Sequence, residues 1–166
     1  MRRFLSFLAL CSAIGLGVAA VAAADPPQKV PVPPNSDLTL SGVCPFDVLL
    51  HTTDQNNHIR VYANGVAAGE GMLKAEVTNL TSGKTIALNI SGPGRLTPNG
   101  DGTTTVRLEG RNLVFFFPDE VSAGAPAALY LTNGLVSERV DSATGAPVQG
   151  SFTTTGSVTD MCAALA

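Results

Sequence analysis

Asn112-Leu113-Val114-Phe115-Phe116-Phe117-Pro118 is the stretch whose reading decides the fold. Its apolar residues run on without a period of two, so a strand built from them needs cover on both faces. A helix competes, but the run is short, β-branched and aromatic, and it lies between Gly110 and Pro118. The spacing therefore predicts a strand with Leu113, Phe115 and Phe117 on one side and Val114 and Phe116 on the other. One set fills an interior. The other calls for a second layer, a loop, a tail or a second chain. Such an uncharged, β-prone window aggregates when exposed, and Arg111, Pro118, Asp119 and Glu120 flank it as breakers.

Outward from this run the pattern stays that of strands. Apolar and polar residues alternate over 46–53, 59–63, 72–80, 84–91, 104–109, 128–140 and 148–159. Turn chemistry separates them at Thr81-Ser82-Gly83, Gly92-Pro93-Gly94, Pro98-Asn99-Gly100-Asp101-Gly102, Gly110-Arg111-Asn112 and 141–147. Asn56-Asn57 reads as a further turn, and Asn133-Gly134 as a bulge. After the first residues no segment holds a helical period, apart from a helical turn expected at 162–166. The short connections predict an all-β fold, one antiparallel meander of about eight strands. Closing such a meander into a barrel, or nearly so, removes its open edges; a two-sheet sandwich is the alternative.

The ends of the chain read differently. Arg2 and Arg3, the apolar run from Phe4, and Ala22-Ala23-Ala24 have the form of a signal peptide over 1–24, with an uncleaved anchor as the alternative. Five prolines between Pro26 and Pro34 predict an extended linker over 25–42 with no sheet interior to join. The all-β domain is then 43–166. It carries Cys44 and Cys162, and in an exported protein such a pair reads as a disulfide. That bridge would bring the first strand beside the last segment and, in the chain-entropy model, stabilise the fold by roughly 4 to 5 kcal/mol.

Without the leader, eight basic residues face thirteen acidic ones, a net charge of 8 − 13 = −5. No run of Lys or Arg marks a phosphate-binding surface, which argues against nucleic acid as a partner. Chemistry is equally hard to place. No Gly-x-Ser-x-Gly, Cys-His constellation or phosphate loop occurs. His51 and His58 would face each other only if the chain turned at Asp54-Gln55; with Asp47 they are weak candidates for a metal site, and solvated loop histidines are the simpler reading. Asp101 reads as a turn residue, since its loop lacks the ligand spacing of a calcium hand. Asn79-Leu80-Thr81 and Asn89-Ile90-Ser91 match glycosylation acceptors. No catalytic residue and no cofactor is assigned.

Several segments together resemble a group of small exported actinobacterial proteins of unknown function. They are Cys44-Pro45-Phe46-Asp47-Val48, the turn from Thr78-Asn79 to Gly83-Lys84, Ser91-Gly92-Pro93-Gly94, Leu113 to Pro118, and the closing Val158-Thr159-Asp160-Met161-Cys162-Ala163-Ala164-Leu165. The resemblance covers most of the domain. It implies secretion and a common fold, and it carries no functional residue across.

The expectation is therefore a secreted or envelope-associated, non-catalytic binding module. A small apolar ligand or self-association are its candidate partners. Two alternatives stand beside it: an enzyme gathering His51, Asp47, Tyr62 and Arg60 at a barrel mouth, and a structural oligomer that pairs through the second face of Leu113–Phe117.

Overall fold

In a computed structural model of the chain, the described residues are 26–32, 37–117 and 129–166. The expected signal peptide and the breakers Pro118, Asp119 and Glu120 lie outside them. The strands are β1 (Gln28–Pro31), β2 (Leu38–Leu40), β3 (Val48–Val61), β4 (Ala67–Asn79), β5 (Thr85–Asn89), β6 (Gly94–Pro98), β7 (Thr103–Phe115), β8 (Leu129–Asp141) and β9 (Thr153–Asp160), followed by helix α1 (Met161–Leu165). All pairings are antiparallel, in the order β1-β3-β4-β6-β7-β8-β9, with β2 also on β3 and β5 also on β4.

The sheet is all-β and antiparallel as expected, but it does not close into a barrel. Its ends are joined by other means. Cys44 and Cys162 form the disulfide, with their Cα atoms 5.4 Å apart. Asp160 caps α1 by accepting from the Ala163 N–H at 3.0 Å, and Met161 and Leu165 of the helix are buried. Asn79, 3% exposed, donates to the Leu165 carbonyl at 3.0 Å while its Oδ1 accepts from the N–H groups of Thr81 and Ser82. This buried side chain thus serves the β4–β5 turn and the chain terminus together, and in the folded protein it is no glycan acceptor.

The phenylalanine run lies at the end of β7 and is covered on both sides by the chain itself. Leu113 joins an aliphatic core with Leu40, Val48, Val77, Leu129, Met161 and Leu165, and Phe115 and Phe117 pack against it. Val114 and Phe116 join a second core with Tyr130, Val136 and Phe152. There Phe152 meets Phe116 and Tyr130 edge to face, with ring centroids 5.6 and 6.1 Å away. The segment before β9 carries Phe152 into place: Val148 N–H donates to the Arg139 carbonyl, and Ser151 Oγ accepts from the Arg139 N–H.

Four local readings are corrected. The chain does not turn at 54–57; β3 runs through it, with an irregularity between Thr52 and Asp54. Gly110-Arg111-Asn112 is not a turn, since β7 continues from Thr103 to Phe115 against β8. Asn133-Gly134 carries no extra residue, because the β8–β9 register passes through it unshifted. The linker is also more than a linker. Gln28–Pro31 and Leu38–Leu40 line the edge of β3, where a missing proline donor costs little, and Leu40 is fully buried.

The corrections at Gly110 and Gly134 have one physical source. β5 and β6 pair with β4 in a single register, so they are two halves of one interrupted strand. Continued across the sheet, that register places glycine in one row on five neighbouring strands: Gly71, Gly92, Gly110, Gly134 and Gly156. A Cβ on Gly134 would overlap the Thr155 carbonyl, and one on Gly156, at φ 91°, the Asn133 carbonyl. The row lets adjacent backbones approach closely, and Gly110, at φ 72°, and Gly134 lie within continuous strands where they read as a turn and a bulge.

Candidate functional site

The interruption between β5 and β6 opens a cleft of about 150 Å³. Two cross-strand glycine pairs form its floor: Gly69 is paired with Gly94, and the same register, two residues further along, sets Gly71 opposite Gly92. Apolar walls come from Val32, Ile59, Leu73, Ile90 and Leu108. Asn57, His58, Glu70, Ser91 and Asn112 supply polar groups.

Each polar group is held by the local fold. Ser91 repairs the broken ladder: its Oγ accepts from the Leu73 N–H at 2.9 Å and donates to Asn89 Oδ1 at 2.6 Å. Asn112, buried beside Gly92, donates to the Glu109 carbonyl at 2.9 Å. His58 Nε2 lies 3.4 Å from Glu70 Oε1, an ion-pair separation without hydrogen-bond alignment. Arg60 Nε is 2.5 Å from the same carboxylate. Asn57 Oδ1 is buried without a hydrogen-bond partner. A buried acceptor of that kind is costly unless a donor reaches it.

The sequence-predicted residues are only partly gathered here. His58 and Arg60 meet at Glu70, whereas His51, seven positions earlier on the same strand, bonds Asp37 through Nδ1 at 2.6 Å. With β3 running on through Asp54 and Gln55, where a turn would have opposed them, the two imidazoles do not face each other. Among the described residues, no group of three His, Cys, Asp or Glu side chains could hold a metal ion. Tyr62 sits at the β3–β4 connection, where its carbonyl accepts from the Gly65 N–H. Asp47 offers its carbonyl to the Leu80 N–H at the opposite end of β3.

The displaced titratable groups lie elsewhere. Hydrogen bonding to Asp37 and its charge raise the pKa of exposed His51. Asp101 is lowered, chiefly by the Thr103 hydroxyl and N–H, and Asp141 by Thr144 and the Ala143 N–H. Asp101 is thus a turn residue, as its spacing predicts. Tyr130 is pushed upward by burial in the aromatic core and by the charge of Glu138.

Sequence reasoning missed Asn57, Glu70 and Asn112 as a group, together with the glycine floor. A signal was present in the matching triplets Gly69-Glu70-Gly71 and Gly92-Pro93-Gly94, which become neighbours only through the β4–β6 register. Comparison with protein-family models, curated proteins and solved structures finds no match.

Proposed function

We propose that the chain acts outside the cytoplasm as a non-catalytic binding module, taking a small ligand with an apolar body and one hydrogen-bond donor into this cleft. The carrying observation is the combination at the strand break: a side-chain-free floor, apolar walls, and the buried acceptor of Asn57. Pockets that orient small molecules have this composition. Export is supported by the Cys44–Cys162 bridge, by the leader-like first residues and by the resemblance to exported proteins. A larger apolar ligand held between the sheet halves has less support. Leu40, Val48, Val77, Leu129 and Leu165 occupy that space and are almost wholly shielded.

Gly69 gives a direct test. A Cβ built there meets nothing nearer than 3.9 Å, so Gly69→Val plugs the floor without breaking the strand. Two-dimensional NMR with benzyl alcohol and cyclohexanol as probes should show shifts confined to Ile59, Leu73, Ile90 and Leu108, and the variant should abolish them. Equal shifts in the plugged variant, or none in the parent, defeat the proposal.

A further inference from the structure

The cleft owes one wall to a strand that the rest of the fold hardly holds. Val30 is paired with Ile59, and Val32 follows on the same face by the period of two; Ile59 and Val32 both line the cleft. Yet Gln28, Lys29, Val30 and Pro31 are all exposed, and the two cores are built without them. Four residues of edge pairing therefore keep β1 in place, and Pro31 brings no N–H to them. Lys29 is moreover set directly opposite Arg60, like charge against like, which weakens a strand pair, while the Arg60 Nε is committed to Glu70.

Further along, the same segment is firmly rooted. Asp37 accepts from His51 Nδ1 at 2.6 Å, β2 pairs with β3, Leu40 and Val43 are buried, and Cys44 is bonded to Cys162. The segment thus has a fixed root at β2 and a tip at β1 that neither core needs. Opening of β1 costs a short ladder and the place of Val32 in the cleft wall, and no core contact is broken. Local openings of this kind lie at the low end of the free energies that one protein spans. The facing wall has no such freedom, since Leu73 and Leu108 lie on β4 and β7, strands paired on both sides.

We propose that β1 is a strap for the cleft: it leaves β3 without unfolding the sheet, and a ligand in the cleft holds it closed through Val32. This rests on the cleft being the binding site proposed above. The coupling follows from linkage. A ligand that touches Val32 binds the closed form better than the open one, so occupancy shifts the strap toward closure. Closure in turn raises affinity by the same factor. The strap then governs how readily the cleft releases what it holds.

The test is amide exchange of the full chain, followed residue by residue by NMR over a series of low urea concentrations. The amides that join β1 to β3, within 28–30 and 59–61, should exchange at rates that urea leaves unchanged. Those joining Leu38–Leu40 to 48–50 should quicken with urea, as exchange through global unfolding does. Benzyl alcohol at about ten times its Kd should slow exchange at β1 by up to about tenfold. Val32→Ser, which keeps the β1–β3 pairing, should leave the urea response as it is and remove most of that slowing. β1 amides that follow urea as those of β2 do overturn the strap, whether or not the cleft is occupied. Probe shifts at Leu73 and Leu108 with unchanged β1 exchange, or equal slowing in Val32→Ser, overturn the coupling and leave the cleft reading intact. No probe shifts at all overturn that reading, and the coupling with it.

Discussion

The two faces of the phenylalanine run solve one problem in different ways. Leu113, Phe115 and Phe117 face an aliphatic core tied shut by a disulfide, a capped helix and the buried amide of Asn79. Val114 and Phe116 face an aromatic core closed by the packing of Phe152 on Tyr130 and Phe116. One is held by covalent and directional bonds to distant parts of the chain. The other is held by shape and area, which makes it the more sensitive to loss of volume.

Breaking the covalent tie is the largest expected perturbation. Replacing Cys44 and Cys162 by Ser should lower stability by roughly 4 to 5 kcal/mol in the chain-entropy model, read from urea unfolding. Phe116→Ala, at a residue 6% exposed, should cost about 3 to 5 kcal/mol, and Phe115→Ala, at a half-buried residue on the other face, clearly less. Equal costs would mean that the two faces do not differ as described.

The glycine row comes next. Gly156→Ala combines a left-handed backbone with overlap on the Asn133 carbonyl and should cost about 3 kcal/mol. Asn79→Ala leaves the Leu165 carbonyl without its donor and should cost roughly 1 to 3 kcal/mol. Amide exchange should then quicken in α1 and not around Phe152.

The smallest effect is that of pH, and its sign differs from group to group. His51 has a raised folded pKa, so its contribution is complete below its unfolded value and is lost as pH rises through the folded one. Asp101 and Asp141 have lowered folded values, so theirs is present above the unfolded carboxylate range and lost as pH falls through the folded ones. Melting curves of His51→Gln should lose the alkaline-side slope and keep the acid-side one.

Much of this was legible locally. The strand pattern, the two-sided burial of Leu113–Phe117, the helical turn at the end and the pairing of Cys44 with Cys162 follow from periodicity and from cysteine chemistry. The misreadings concentrate on glycine. At Gly110 and Gly134 the residue type permits a turn, a bulge or a kink, and only the partner strand selects among them. The same holds for the candidate site. Gly69, Gly71, Gly92 and Gly94 are unremarkable in order along the chain and become a floor only when β4 and β6 align.

What the sequence determined by itself is whatever depends on neighbours along the chain: strands by alternation, their antiparallel order by short connections, and a covalent clip by a pair of cysteines near the two ends of the domain. What the tertiary structure decided is whatever depends on neighbours across it: an open sheet in place of a barrel, glycines aligned in one row across neighbouring strands, and Arg95 opposed to Arg107. Register is the physical reason. A shift of one residue would send every side chain of a strand to its other face, and the hydrogen bonds that set it join residues far apart in the chain.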